Sequence, residues 1–205
     1  MSDTTFLEWP FFEARHRALA ARVESWAGAR AEPEHCEGRA LDTLCRAIVR
    51  DLGASGLLEA VVPTIGAEGL DVRSICLARE ILARHSGLVE VMFAMQGLGT
   101  GPITLFGDPV LREKILPGVR AGERIAAFAL SEPDAGSDVA AMSTQATAVP
   151  GGWRLDGVKT WISNGGIADP MWCLPERARR QAPRGCRHSW SMPIFPDSSS
   201  KSGWK

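Results

Sequence analysis

The hydrophobic pattern of the chain changes from helical to strand-like after Gly122. Upstream of that glycine, apolar residues recur every three or four positions in several segments, as expected of amphipathic helices. Downstream, short apolar runs are separated by turns that contain Gly and Pro. We therefore predict an α+β chain, with an all-α helical domain over residues 1–124, the beginning of an incomplete β-barrel-like domain over residues 125–169, and an irregular tail over residues 170–205.

The boundaries of the predicted elements follow from capping and turn residues. Residues 54–70 contain one proline and several glycines and predict a loop. The segment Leu88–Ile103 has almost no polar side chains, so it predicts a helix buried in the core. The other predicted helices are residues 12–28, residues 41–52 with Gly53 as C-cap, a helix that Asp71 caps at its start, and residues 109–116, closed by Pro117 and Gly118. The predicted strands are residues 125–130, 144–149 and 153–158.

The first predicted strand ends in a polar turn at Ser131. Proline, aspartate and glycine follow within a few positions, which breaks the regular backbone. Such a turn presents backbone N–H groups and the hydroxyls of Ser131 and Ser137, which suit the oxygens of a polar ring or a phosphate. The same features are typical of an ordinary loop between strands, so the turn alone leaves both interpretations open.

Composition argues against several other functions. A net charge of -1 gives no support for nucleic-acid binding. The five cysteines and four histidines are scattered without metal-ligand spacing, so we expect neither a metal site nor a disulfide framework. No apolar run reaches the length of a membrane span and no basic-then-apolar leader is present, so we expect a cytoplasmic protein with no membrane partner. Pro102 occupies the sixth position of a GxGxxG-like string that begins at Gly97 and that no strand precedes, which argues against a Rossmann site.

Two motifs together resemble a known family. The string Phe128-Ala-Leu-Ser-Glu-Pro-Asp-Ala-Gly-Ser-Asp138 resembles the N-terminal signature of the FAD-dependent acyl-CoA dehydrogenases. The string Trp161-Ile-Ser-Asn-Gly-Gly166 resembles the second flavin-facing segment of that family, at the expected distance. The resemblance covers approximately residues 1–169, and the family has the same order of a helical domain followed by a β domain.

The resemblance implies where FAD and a thioester would bind. Backbone N–H groups of Leu130 and Ser131 would donate to the flavin ring, and such donors favour its reduced, negatively charged form. The implied cofactor-binding residues are Phe128, Leu130, Ser131, Trp161 and Ser163. Ser137 is the implied substrate-binding residue, facing the pantetheine or phosphate part of the thioester. The Leu88–Ile103 helix would border the acyl pocket, where Met92 and Met95 would suit a flexible chain.

The implied reaction is α,β-dehydrogenation of an acyl-CoA thioester, in which a carboxylate removes the α-proton and FAD accepts the β-hydride. In the family that carboxylate lies in a C-terminal helical domain that this sequence does not match. We therefore assign no catalytic residue, expect Glu132 and Asp138 only to support the loop, and expect a truncated chain that is inactive alone. The family suggests an electron-transfer flavoprotein as acceptor and a homodimer or homotetramer. A non-enzymatic remnant that associates with intact subunits and an acyl-CoA oxidase-like flavoprotein are the alternatives.

The tail after Asp169 has a different chemistry from the rest of the chain. Residues 170–205 carry 7 basic and 2 acidic side chains, whereas residues 1–169 carry 16 and 22. The tail follows neither a strand nor a helix period. In a shifted reading frame, the first base of each Trp, Cys or Phe codon, which is T, becomes the middle base of a new codon. Codons with T in the middle encode apolar residues, so the shifted reading yields apolar, strand-like segments with Gly and Pro turns. We hypothesise a frameshift, with a natural disordered basic tail as the alternative; resequencing the locus distinguishes them.

Overall fold

The computed structural model describes residues 3–30, 36–66, 69–150, 152–169, 171–173 and 192–194 of the chain. Within these residues the helices are α1 (Ala14–Gly28), α2 (Gly38–Ala54), α3 (Val72–His85), α4 (Gly87–Phe106) and α5 (Pro109–Arg120), with 3₁₀ turns at Thr5–Glu8, Leu57–Ala60 and Val139–Ala141. The strands are β1 (Ala127–Ala129), β2 (Gln145–Val149), β3 (Gly152–Asp156), β4 (Met171–Cys173) and β5 (Met192–Ile194). None of the described helices is long and apolar enough to cross a membrane.

Helix α4 lies at the centre of the helical part and contacts α2, α3, α5 and β1. Ser86 caps its beginning, and the Ser86 hydroxyl accepts a hydrogen bond from the backbone N–H of Val89. Its buried side chains include Phe93 and Ile103, which join one continuous hydrophobic core with residues of the neighbouring helices. The buried Gln96 side chain accepts from the Ala126 N–H at 3.0 Å. The apolar character of this segment therefore predicts its place correctly, and one amide ties the helix to the sheet.

The sheet begins where the helical part ends. β1 pairs in parallel with β4, with Ala127 opposite Met171, and β4 pairs antiparallel with β5. β2 and β3 form a separate antiparallel hairpin, with Val149 opposite Gly152. The predicted α+β order is confirmed. β4 and β5 fall in the range that was expected to be irregular, and the rest of residues 170–205 lies outside the described residues.

Two predicted helix ends are wrong because tertiary packing outweighs the local signal. Gly53 does not end α2, which continues to Ala54 before Gly56 adopts a left-handed φ of 72°. A Cβ atom at Gly53 would lie 2.3 Å from the backbone of Ala121, so this glycine permits a close approach inside the helix. Likewise, α5 continues past Pro117 and Gly118 to Arg120.

The burial of apolar side chains on both sides of Pro117 explains why that residue does not end α5. Ile115, Leu116 and Val119 are all buried, and this burial holds the last turn in place although proline removes one helical hydrogen bond. The predicted loop over residues 54–70 also needs correction. It contains the 3₁₀ turn Leu57–Ala60, whose Leu57 and Leu58 belong to the core.

A buried histidine joins the beginnings of α1 and α3. The His16 side chain is completely buried; its Nδ1 accepts from the Glu13 N–H at 2.9 Å, so Nε2 carries the proton and donates to the Asp71 carboxylate at 2.9 Å. Burial alone raises the pKa of Asp71. The hydrogen bonds from His16 and Ser74 and the positive charges nearby outweigh that effect and lower the pKa from 3.8 to about 2.

The substitution Asp71→Asn is expected to lower the free energy of unfolding by about 1–2 kcal/mol near neutral pH, after allowance for partial exposure. Because the folded-state pKa is depressed, the ionised carboxylate stabilises the fold above about pH 4, and this contribution is lost as the pH falls through about 2. Denaturant unfolding of both proteins as a function of pH measures the difference. Asp51→Asn, which removes an exposed partner of Arg30, serves as control with an effect below about 0.5 kcal/mol. A difference that does not change with pH would contradict the ionic explanation.

Close packing of α4 on β1 depends on Gly99. A Cβ atom at this position would lie 2.8 Å from the Ala126 Cβ and 2.9 Å from the Ala127 N. Since Ala126 and Ala127 are themselves small and buried, helix and strand approach each other more closely than larger side chains would allow. The position of β1 relative to α4 is therefore set by three small residues.

Gly99→Ala is expected to destabilise the fold by about 1–3 kcal/mol, because the added methyl group must push α4 away from β1. Gly87→Ala, at the beginning of the same helix, is the control. Apart from its chain neighbours and its own helix backbone, no described atom lies within 4 Å of the added Cβ, so the higher helix propensity of Ala should leave stability unchanged or raise it by up to about 1 kcal/mol. Chemical denaturation compares the two variants, and effects of the same sign would show that the close approach does not govern stability.

Candidate functional site

The two motifs singled out in the sequence lie side by side. The Ser131 carbonyl accepts a hydrogen bond from the Thr160 N–H at 2.9 Å. The Lys159 ammonium donates to the Leu130 carbonyl, also at 2.9 Å. Since these bonds join residues almost thirty positions apart in the chain, they bring the end of β1 directly against the segment that precedes Trp161.

An ion pair between Glu132 and Lys159 lies beneath this junction. The two side chains are only 3% and 4% exposed, and the Nζ–Oε1 distance is 2.8 Å. The Glu132 carboxylate also accepts from the backbone N–H groups of Ser143 and Thr144 at 2.6 and 3.0 Å. Burial raises the pKa of Glu132, but the Lys159 bond and these backbone donors outweigh burial and lower the pKa to about 2. Glu132 is therefore an ionised structural group, as its expected loop-supporting role requires.

The predicted site residues occupy different environments around the junction. Phe128, Leu130 and Ser131 are half-buried, whereas Ser137 and Ser163 are exposed. Asp138 accepts from the Ala140 N–H at 3.0 Å and so begins the following 3₁₀ turn, which agrees with a role in supporting the loop. Ser137 belongs to the turn after β1, and no bond joins it to the other five residues among those that the structure describes. Leu130 and Ser131 form the junction itself, Phe128 precedes it in β1, and Trp161 and Ser163 follow it along the chain.

Trp161 combines an unfavourable backbone with full exposure. Its φ is 58°, in the left-handed region that a bulky residue rarely adopts, and its side chain is 94% exposed. Asn164 follows with a φ of 63°, and its side-chain amide donates to the Ala126 carbonyl at 3.2 Å. Asn164 therefore anchors the turn, which holds the large Trp161 ring out from the surface.

An apolar cavity of about 370 Å³ lies between α4 and the residues around α3. Phe128, which belongs to the first of the two motifs, also lines it. Its other lining residues are Val61, Leu70, Ile75, Arg79, Ala94, Gly97, Leu98, Gly101, Pro102, Leu105 and Phe106. Met92 and Met95, expected to border the acyl pocket, are buried and do not line this cavity. The sequence signal for the face of α4 that lines the cavity was a pattern of small residues at three- and four-residue spacing, namely Ala94, Gly97 and Gly101.

The residues at the junction fit a flavin. The buried Thr160 Oγ1 has no hydrogen-bond partner among the described residues, and the neighbouring Trp161 ring is exposed and available to pack on an aromatic ring system. Half-buried Leu130 and Ser131 bond to Lys159 and Thr160 directly before that ring. Within the described part of the chain, no cluster of His, Cys, Asp and Glu could hold a metal ion.

Comparison with known proteins agrees with this arrangement. The model of the acyl-CoA dehydrogenase N-terminal domain matches residues 13–123, and that of the middle domain matches residues 127–200. The chain therefore belongs to the acyl-CoA dehydrogenase family, whose members are flavoprotein oxidoreductases. The middle-domain match runs past Asp169, where the sequence motifs ended the resemblance.

Individual relatives share part of their length with this chain. The mitochondrial very long-chain specific acyl-CoA dehydrogenase of Mus musculus is 41% identical over 124 residues, which are 59% of this chain and 19% of that protein. The glutaryl-CoA dehydrogenase structure from Mycobacterium smegmatis has a TM-score of 0.69 at 30% identity, covering 80% of this chain and 43% of that one. An acyl-CoA dehydrogenase from Bacillus anthracis complexed with FAD has a TM-score of 0.68 at 31% identity, covering 85% and 32%. The chain thus spans less than half the length of these relatives.

Trp161→Gly is expected to be more stable than Trp161→Ala by about 1 kcal/mol. Both variants remove the exposed ring, but only glycine relieves the cost of the left-handed backbone. Thermal unfolding of the two variants, without ligand, measures this difference. Equal stability would show that the turn relaxes at position 161 and stores no strain.

Proposed function

We propose that the chain binds FAD and an acyl-CoA thioester and provides one wall of a site for α,β-dehydrogenation. The observation that carries this proposal is the place of Phe128, which belongs to the flavin-facing motif and also lines the apolar cavity. A ring held at the motif and an acyl chain held in the cavity would therefore meet at this residue. The cavity volume falls in the range typical of small-molecule sites.

The residues around the junction would hold the flavin by directed donors and by packing. FAD, when bound, supplies the hydride acceptor. The N–H groups of Leu130 and Ser131 and the Ser131 hydroxyl would donate to the ring, with the Ser163 hydroxyl donating near its reactive nitrogen. The Trp161 ring would cover the flavin and exclude water from it. Ser137, in the exposed turn, would bind the polar part of the thioester.

The cavity lining favours an uncharged acyl chain. Apart from Arg79, its lining residues are apolar or glycine, so a hydrocarbon chain would bury its surface against them. Arg79 is paired with Glu90, and this pairing neutralises the positive charge that would otherwise attract a carboxylate at the far end of the chain. We therefore propose a fatty acyl thioester in preference to a dicarboxylic one such as glutaryl-CoA.

The proton-transfer group is not part of this cavity. The described residues that line it include no Asp or Glu, and the nearby Glu132 is buried, ionised and fully bonded to Lys159, Ser143 and Thr144. A general base must reach the proton that it removes. We propose that this chain alone binds the ligands without catalysing dehydrogenation, and that the complete site needs another polypeptide segment.

Purified chain mixed with FAD is expected to retain an oxidised flavin spectrum after gel filtration, and added octanoyl-CoA should perturb that spectrum without bleaching it. Leu98→Asp should weaken the octanoyl-CoA effect at least about tenfold, because it puts a charge on the cavity wall. Val110→Asp, at an apolar position outside the lining that is 75% exposed compared with 51% for Leu98, is the control and should leave binding unchanged.

Three results would contradict parts of this proposal separately. A colourless protein after gel filtration would disprove FAD binding by the chain. Equal effects of the two aspartate variants would show that the cavity is not the acyl site. Bleaching of the flavin by octanoyl-CoA would show that the chain has its own base.

A second candidate function is favoured by the exposed apolar side of α4. Leu98, Leu105 and Phe106 are 51%, 50% and 68% exposed, beside the open cavity. An apolar surface of this kind suits contact with another protein, which supports a non-enzymatic chain that associates with intact family members. Co-purification with a full-length relative, together with failure to retain FAD, would select this function over the first.

The remaining expectations rest on family membership, except for the location, which rests on the sequence pattern alone. We propose an electron-transfer flavoprotein as the electron acceptor, assembly as a homodimer or homotetramer, and a cytoplasmic location. Analytical ultracentrifugation tests the assembly, and flavin reoxidation by a purified electron-transfer flavoprotein tests the acceptor once a complete enzyme is assembled.

A further inference from the structure

Lys159 uses its whole hydrogen-bonding capacity at the junction. Its ammonium carries three protons, and its partners are the Leu130 carbonyl at 2.9 Å, the Glu132 carboxylate at 2.8 Å and the Met142 sulfur at 3.6 Å. The side chain is only 4% exposed. A lysine this deeply buried with three protein partners is held in one orientation.

We propose that Lys159 is a positioning residue for the bound flavin, acting through the peptide group between Leu130 and Ser131. The Leu130 carbonyl and the Ser131 N–H belong to the same rigid peptide plane. The cation on the carbonyl oxygen therefore fixes the direction of that N–H and also polarises the peptide, which makes the N–H a stronger donor. This inference rests on the proposed function, in which the Ser131 N–H donates to the flavin ring.

The residue after Lys159 fixes the other side of Ser131. The Thr160 N–H donates to the Ser131 carbonyl at 2.9 Å, so the carbonyls of Leu130 and Ser131 receive their bonds from consecutive residues. Trp161 follows immediately, with its ring exposed. The orientation of the Ser131 donor and the place of the Trp161 ring are thus set by one short segment.

Glu132 makes burial of the ammonium possible. An unpaired buried charge costs several kcal/mol, and Glu132 supplies the counter-charge while the Ser143 and Thr144 N–H groups hold its carboxylate. Well-packed apolar side chains of similar volume often stabilise a fold as well as a buried ion pair does. What the pair provides here beyond stability is a charged donor aimed at the Leu130 carbonyl.

The test uses variants that leave no unpaired buried charge. Glu132→Gln/Lys159→Met removes both charges and the donor to Leu130, while the Gln carbonyl can still accept from Ser143 and Thr144. Glu132→Gln/Lys159→Gln keeps a neutral donor near Leu130. Arg154→Met is the control, since it removes an exposed cation that pairs with Asp156. Circular dichroism and cooperative unfolding establish which variants fold.

Two measurements on the folded variants report on the peptide rather than on stability. The carbon resonance of the Leu130 carbonyl, measured without flavin, is expected to move upfield in the Met variant and to an intermediate position in the Gln variant. The affinity for FAD should fall by about tenfold in the Met variant, and the reduction potential of the bound flavin should become more negative. Arg154→Met should change none of these.

The two measurements also separate this inference from the proposed function. If the wild-type chain binds no FAD, the proposed function fails, and the Leu130 resonance alone decides whether Lys159 acts on this peptide. An unchanged resonance in a folded Met variant would overturn the inference whether or not FAD binds. Loss of folding in both double variants would also overturn it, because the pair would then serve stability alone.

Discussion

The buried ion pair between Glu132 and Lys159 is the interaction on which the arrangement of the site depends. It joins the end of β1 to the segment before Trp161 and, through the backbone donors of Ser143 and Thr144, to the loop before β2. Because a charge can be buried only with its partner in place, these three parts of the chain must come together as a unit. The positions of Leu130, Ser131 and Trp161 relative to one another follow from that requirement.

Small residues decide how the helical part meets the sheet. Gly99 lets α4 approach Ala126 and Ala127, and the buried Gln96 amide completes the contact by accepting from the Ala126 N–H. The opposite consequence appears along the cavity, where Gly101 leaves space in place of a side chain. The same helix is therefore tightly packed on one side and open on the other, which places an apolar cavity beside Phe128.

Much of the fold could be predicted from local pattern, and the errors have a common cause. The five helices, the β2–β3 hairpin and the order of the two parts follow from periodicity and turn residues. The predicted helix ends at Gly53 and Pro117 were wrong because they were based on the usual local roles of glycine and proline as residues that end helices. In the folded chain, close approach to Ala121 and burial of the surrounding apolar residues govern those positions.

The sequence by itself determined the family resemblance, because each motif is a continuous string of residues. One has eleven residues and ends at Asp138, and the other has six and begins at Trp161. Only the tertiary structure decided that Lys159 bonds to Leu130, that Asp71 pairs with a fully buried His16, and that Ala94, Gly97 and Gly101 rather than Met92 and Met95 face the cavity. These contacts join residues far apart in the chain or depend on how a helix is rotated. The physical reason is that a periodic pattern of apolar residues defines the apolar face of a helix or strand, whereas the packing of the whole domain decides which other element that face contacts.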